Sequence, residues 1–336
     1  MNRKALILAG ALAAVAGAWA APSQAKDLFY YIGYDVVQVL DGDTDTVTAT
    51  IPAKGWLRDV AASADRKTLF VTANRHLIHK IDLAKGAVVK TIDVNGDGWE
   101  RLIYGLTVAP NGKSAYAHLL FRTTKDGEAL TRQPVVAELD LDNGKVLRSV
   151  EVPWGVGNLV GTEDGKTLFG VGQDLVRIDT TGKELKVVES RQLIEKGMNT
   201  LPFWPKNYDN NGIAVAPYYT PTAMGVLMID TKTGEVTDKV LKDMSMVYTL
   251  VLSPDRKKAY GNMDDVVAYD LETGAITKSV VNDEGTNFDI SISSDGKKLY
   301  TAAGGYTMTV YDAETLTARK VVQMASDGMG MIRLTN

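Results

Sequence analysis

Residues 253–274 read Ser253-Pro254-Asp255-Arg256-Lys257-Lys258-Ala259-Tyr260-Gly261-Asn262-Met263-Asp264-Asp265-Val266-Val267-Ala268-Tyr269-Asp270-Leu271-Glu272-Thr273-Gly274. A turn signal opens the stretch, because Pro presets φ and Ser and Asp bond back to the backbone. A short β run follows over Lys258–Gly261. A second strand ends in an apolar-Asp pair, Tyr269-Asp270, and Thr273-Gly274 supplies the next turn. Strands with turns every 8–12 residues indicate an all-β chain.

The same unit recurs along the sequence. An apolar or aromatic residue precedes Asp at Leu40-Asp41, Ile81-Asp82, Leu139-Asp140, Ile178-Asp179, Ile229-Asp230, Tyr269-Asp270 and Tyr311-Asp312. The aspartates are spaced by 41, 58, 39, 51, 40 and 42 residues. A unit of about 40 residues is the length of a four-stranded propeller blade. The two longer intervals are the same unit with an insertion. The expected architecture is therefore all-β, a seven-bladed β-propeller over residues 26–336. The first unit, from Leu28-Phe29-Tyr30-Tyr31, lacks a strand before it, and Met329–Leu334 forms a spare strand at the other end. Pairing this C-terminal strand with the first blade closes the ring and removes both open edges. The seven aspartates read as turn formers, since a carboxylate at a strand end accepts the N–H groups of the turn.

Residues 1–25 have the pattern of a secretory signal peptide. Arg3 and Lys4 precede an apolar run from Ala5 to Ala21, and Ser23-Gln24-Ala25 fits a cleavage site before Lys26. The expected location is a periplasm. The net charge is −4 for the whole chain and −6 from Lys26 onward. This sign argues against nucleic acid or an anionic membrane as the partner, since both need a positive field. There is no cysteine. That excludes disulfides, thiol nucleophiles and covalent haem attachment in this chain.

Few residues suggest chemistry of their own. Asp41-Gly42-Asp43-Thr44-Asp45-Thr46 begins like a calcium loop, but Ala53 stands where the bidentate Glu is needed. His76 and His79 lie in a hairpin with no third ligand, and read as surface histidines. No nucleophile elbow, phosphate loop or dinucleotide fingerprint is present. No catalytic, cofactor-binding or metal-binding residue is expected.

Function is expected where the repeat breaks. The 58-residue interval holds Phe121–Glu128, a polar excursion that reads as an extended hairpin. The 51-residue interval holds Leu201-Pro202-Phe203-Trp204-Pro205-Lys206-Asn207-Tyr208-Asp209-Asn210-Asn211-Gly212, then Pro217-Tyr218-Tyr219-Thr220-Pro221. Rigid aromatic side chains of this kind dominate interface hot spots. The equal alternative is a loop folded back on its own blade with Trp204 as anchor.

Three stretches resemble the β subunit of quinohemoprotein amine dehydrogenase, in its YVTN-type seven-bladed propeller. They are Thr167–Leu175, the Trp204 insertion with Gly212–Thr220, and Val310–Leu316. The resemblance implies a periplasmic heterotrimer that oxidises primary amines to aldehydes and ammonia. A dihaem cytochrome c subunit and a small subunit bearing cysteine tryptophylquinone would be the partners. This chain would be an accessory subunit without a cofactor, inactive alone, that helps enclose the quinone subunit and the active-site cavity. Phe203, Trp204, Asn207, Tyr208, Tyr218 and Tyr219 are the expected partner or cavity contacts. The alternative is a stand-alone periplasmic propeller that binds a ligand or a protein.

Overall fold

The computed structural model describes residues 26–201 and 204–335. The signal-like run 1–25 and the residues Pro202 and Phe203 lie outside them. The described residues form six antiparallel sheets arranged as a propeller.

The widest sheet has six strands. β1 (Asp27–Asp41), β2 (Thr46–Ala62), β3 (Thr68–Ala73), β4 (Leu77–Asp82) and β5 (Ala87–Asp93) follow in order, and the C-terminal strand β26 (Gly328–Thr335) lies on the free edge of β1. Four strands make each remaining sheet. β6 (Glu100–Val108) to β9 (Val146–Glu151) enclose the long hairpin of β7 (Ser114–Lys125) and β8 (Glu128–Asp140). β10 (Val156–Gly161), β11 (Thr167–Gly172), β12 (Asp174–Asp179) and β13 (Lys186–Gln192) form the next. Then come β14 (Asn199–Thr200), β15 (Ile213–Tyr219), β16 (Met224–Asp230) and β17 (Val236–Val240). β18 (Thr249–Leu252), β19 (Lys258–Asn262), β20 (Asp265–Asp270) and β21 (Ile276–Val281) precede the last sheet. It holds β22 (Asp289–Ile292), β23 (Lys298–Ala302), β24 (Thr307–Asp312) and β25 (Ala318–Gln323).

The expected closure is present. Leu28 pairs with Leu334, Tyr30 with Ile332 and Ile32 with Gly330. The expected seven blades are corrected to six. The first two units share β2, which runs unbroken for 17 residues. Residues 46–52 of β2 pair with β1, and Leu57–Ala62 pair with β3. Two sequence units therefore merge in one double-width sheet. The sheet folds over on itself at Gly55, whose φ of 114° suits glycine alone. Val39, Ile332 and Leu334 from one half pack against Leu57, Leu69 and Ile81 from the other.

The seven aspartates act as turn formers. Asp41 accepts the backbone N–H groups of Asp43 and Thr44, and Asp82 accepts that of Lys85. Asp140, Asp179, Asp230, Asp270 and Asp312 do the same for Asp142, Thr181, Lys232, Thr273 and Thr315. The Thr315 N–H holds the Asp312 carboxyl down to about 2. Asp41 is also paired with Lys26, and Asp45 with Lys298, so the calcium-like loop is internally satisfied. Among the described residues no cluster of metal-ligating side chains occurs.

Candidate functional site

The first strand of each unit lines a central channel: β2 packs on β6, β6 on β10, β18 on β22, β22 on β26 and β26 on β2. The two faces of the ring differ by construction. The Asp-marked turns lie on one, the aspartate face. The links between units and the turns between second and third strands lie on the other, the connector face. The large apolar residues exposed outside the outer strands follow this division. Tyr34, Trp56, Trp154, Met244, Met246 and Tyr306 all belong to connector-face segments.

The insertion after β14 does not extend outward. Residues 204–211 leave the blade edge and cross the channel, where they are tied to several units at once. Lys206 Nζ donates to Asp289 Oδ2 at 2.7 Å and to the Met331 carbonyl at 2.6 Å. Asp209 accepts from Ser291 Oγ at 2.5 Å and from the Arg333 backbone N–H at 3.2 Å. Arg333 Nη2 donates to the Asp209 carbonyl at 3.0 Å. Asn210 Oδ1 accepts the Leu252 N–H at 2.8 Å, and the Tyr208 hydroxyl donates to the Ala62 carbonyl at 2.9 Å. The segment thus joins β2, β18, β22 and β26. Lys206, Asp209, Asp289 and Arg333 are all buried. Burial pushes the Asp289 carboxyl up to about 6, while Lys206 and the Met331 N–H pull it the other way.

The expected contact residues separate into three positions. Trp204 lies in the channel beside Lys206, and its indole faces Gly330 so closely that a Cβ there would sit 2.8 Å from Nε1. Asn207 and Tyr208 border a 550 Å³ groove on the aspartate face, together with Arg66, Tyr116, Glu163 and Lys232. Tyr218 is a core residue of its own blade, with its hydroxyl donating to Asp238 Oδ2 at 2.9 Å. Tyr219 bridges to the next unit, where its hydroxyl accepts the Val247 N–H at 2.7 Å. Phe203 lies outside the described residues.

The reading of His79 as a surface residue is corrected. It is buried, with Nε2 donating to the Lys54 carbonyl at 2.7 Å and Nδ1 accepting from Thr91 Oγ1 at 2.8 Å. A carbonyl can only accept, which fixes the tautomer. His118 is also buried, and desolvation pushes it down to about 4.

Three solved structures share this architecture. Hydrazine synthase of Kuenenia stuttgartiensis matches with a TM-score of 0.57 at 17% identity, over 94% of this chain and 100% of that one. Dihydro-heme d1 dehydrogenase NirN, in complex with DHE, matches with a TM-score of 0.57 at 16% identity, over 94% and 76%. A functionally unknown protein from Desulfotomaculum acetoxidans DSM 771 gives 0.61 at 13% identity, over 92% and 98%. The shared feature is the propeller. At these identities the likeness is one of fold alone. No family model matches the sequence, and no curated protein matches it.

On the connector side of the channel lies a recess of about 240 Å³, lined by Arg58, Tyr104, Asn158, Gln173, Thr200 and Leu201 among others. Sequence reasoning missed Arg58, as it missed Lys206, Asp209 and Asp289. The signal for Asp289 was available: it opens a strand whose inward neighbours are Ile290 and Ile292, an expensive place for a carboxylate.

The position of Trp204 makes one test direct. Trp204→Ala removes an indole packed against β26 and leaves a void in the channel. We expect a loss of about 2–4 kcal/mol in unfolding free energy, below the upper range for a fully buried Trp because this one is half-buried. Urea unfolding followed by circular dichroism measures it. An unchanged midpoint would show that the indole is not the anchor of the crossing segment.

Proposed function

We propose that this chain is the cofactor-free propeller subunit of a periplasmic amine dehydrogenase complex of the quinohemoprotein type. The observation that carries the reading is the asymmetry of the ring. One face is polar and rich in turns. The other presents Tyr34, Trp56, Trp154, Met244, Met246 and Tyr306 around a channel mouth whose far end is crossed by residues 204–211. Exposed aromatic and Met side chains collected on one face mark a protein-binding surface.

In this reading the connector face receives the small quinone-bearing subunit and the dihaem cytochrome c subunit. Trp204 and its neighbours close the floor of the cavity, and the partner closes the mouth. Quinone and haem chemistry belongs to the partners. The likeness to propellers named for redox enzymes agrees with a propeller module in an oxidoreductase assembly. The sequence resemblance around Gly212–Thr220 gives the amine dehydrogenase its place in the proposal.

Co-expression with a dihaem cytochrome c and a small quinone-bearing subunit tests it. The three should co-purify and reduce a dye in the presence of a primary amine, whereas this chain alone should not. Trp56→Ala and Trp154→Ala should each weaken assembly about 30-fold if they are hot spots worth about 2 kcal/mol. Amine oxidation by the two partners at full rate without this chain would refute the role.

A further inference from the structure

The recess on the connector side has one charged lining residue, Arg58. Among the described residues its guanidinium has no hydrogen-bond acceptor and no ion pair. It stacks on the Tyr104 ring, 5.0 Å from the centroid. The Arg75 guanidinium lies 4.6 Å from the same ring and 5.1 Å from that of Trp56. Two cations on one tyrosine repel each other unless an anion is near. Stacking holds a guanidinium in a fixed plane, which lowers the entropic cost of pairing it with a carboxylate.

Two further features narrow the ligand. Asp59 is buried beside both arginines and offsets one of their two charges, so the cluster behind Tyr104 keeps a net charge close to +1 when Asp59 is ionised. That balance suits a monoanion and disfavours a doubly charged phosphate. The remaining walls are Val171, Leu201 and the Tyr104 ring, with the Gln173 amide and the Thr200 hydroxyl at the rim. Apolar walls with a few polar groups are the pattern of a small-molecule site. The cavity has room for a compact molecule.

We propose that this recess binds a small monocarboxylate, its carboxylate forked on Arg58 and its hydrocarbon body against Tyr104, Val171 and Leu201. The site lies wholly within this chain and does not depend on the proposed subunit role.

Calorimetric titration of the purified chain with benzoate tests it, with inorganic phosphate and benzylamine as comparisons. Benzoate should bind saturably at one site, more tightly than phosphate, and benzylamine should not bind. Arg58→Gln should weaken benzoate roughly 10- to 100-fold, the loss expected for charge-assisted hydrogen bonds. Arg58→Lys should fall between the two, since it keeps the charge and loses the fork. Arg66→Gln, on the opposite face, should bind like the parent, and circular dichroism should show every variant folded. The proposal is overturned if the parent chain takes up no benzoate. It is equally overturned if Arg58→Gln binds benzoate as the parent does, or if phosphate binds as well as benzoate.

Discussion

Removal of residues 328–336 should leave a chain without a cooperative unfolding transition. The deletion takes away β26 and with it the seven registered pairs to β1. Met331, Ile332 and Leu334 are buried, and each such side chain contributes about 1.5–3 kcal/mol. The same deletion removes the Met331 carbonyl that accepts from Lys206 and the Arg333 groups that hold Asp209. The apolar term alone rivals the total stability of an ordinary domain, about 5–15 kcal/mol. The exposed edge of β1 would then favour aggregation. Thermal denaturation and size-exclusion chromatography of the truncated chain test this. A sharp transition at the parental temperature would mean that the seam is not closed by β26.

Lys206→Met should cost about 3–5 kcal/mol, because it leaves the Asp289 carboxylate buried without its counter-charge. The cost should depend on pH, and its sign can be worked out. Burial already lifts Asp289 to about 6 in the parent chain, above the unfolded value near 3.9. Removing Lys206 raises it further. A carboxyl whose folded value is raised destabilises the folded state once it ionises, so stability falls as pH climbs through that folded value. The deficit of Lys206→Met should therefore be smaller at pH 5 than at pH 8. The double variant Lys206→Met/Asp289→Leu should recover part of the loss, since a buried pair can be replaced by apolar groups. Recovery stays partial because Asp289 also accepts the Met331 and Ile290 N–H groups. Urea denaturation at the two pH values decides the matter, and an equal deficit at both would remove Asp289 from the explanation.

The parts of this fold that the sequence exposes are those with local causes. Each Asp-marked turn is a contact over two or three residues, and so Asp41 through Asp312 could be read directly from spacing. The closure could also be read, because Leu28–Tyr31 and Met329–Leu334 were each a strand lacking a neighbour. The number of sheets could not. Counting aspartates counts turns, whereas a sheet is defined by pairing, and β2 pairs on both sides of Gly55. The insertion was visible as a break in the repeat, with Trp204 between two prolines. Its direction was not, because Lys206 meets Asp289 across 83 residues and Asp209 meets Arg333 across 124. Arg58 was hidden for the same reason: its surroundings come from four separate units.

In a linear array of repeats each unit leans only on its neighbours, and one end can fray without disturbing the rest. The segment from Trp204 to Asn211 changes that arithmetic here. It fastens the inner edges of four strands to a single hub, so a unit that peels away must break contacts belonging to units across the ring. The inexpensive partial openings that shorten the life of repeat proteins are then missing, and the chain stands to resist proteolysis through slow, all-at-once opening. A hub of this kind prolongs the life of a folded chain through its opening rate, where added thermodynamic stability alone would not.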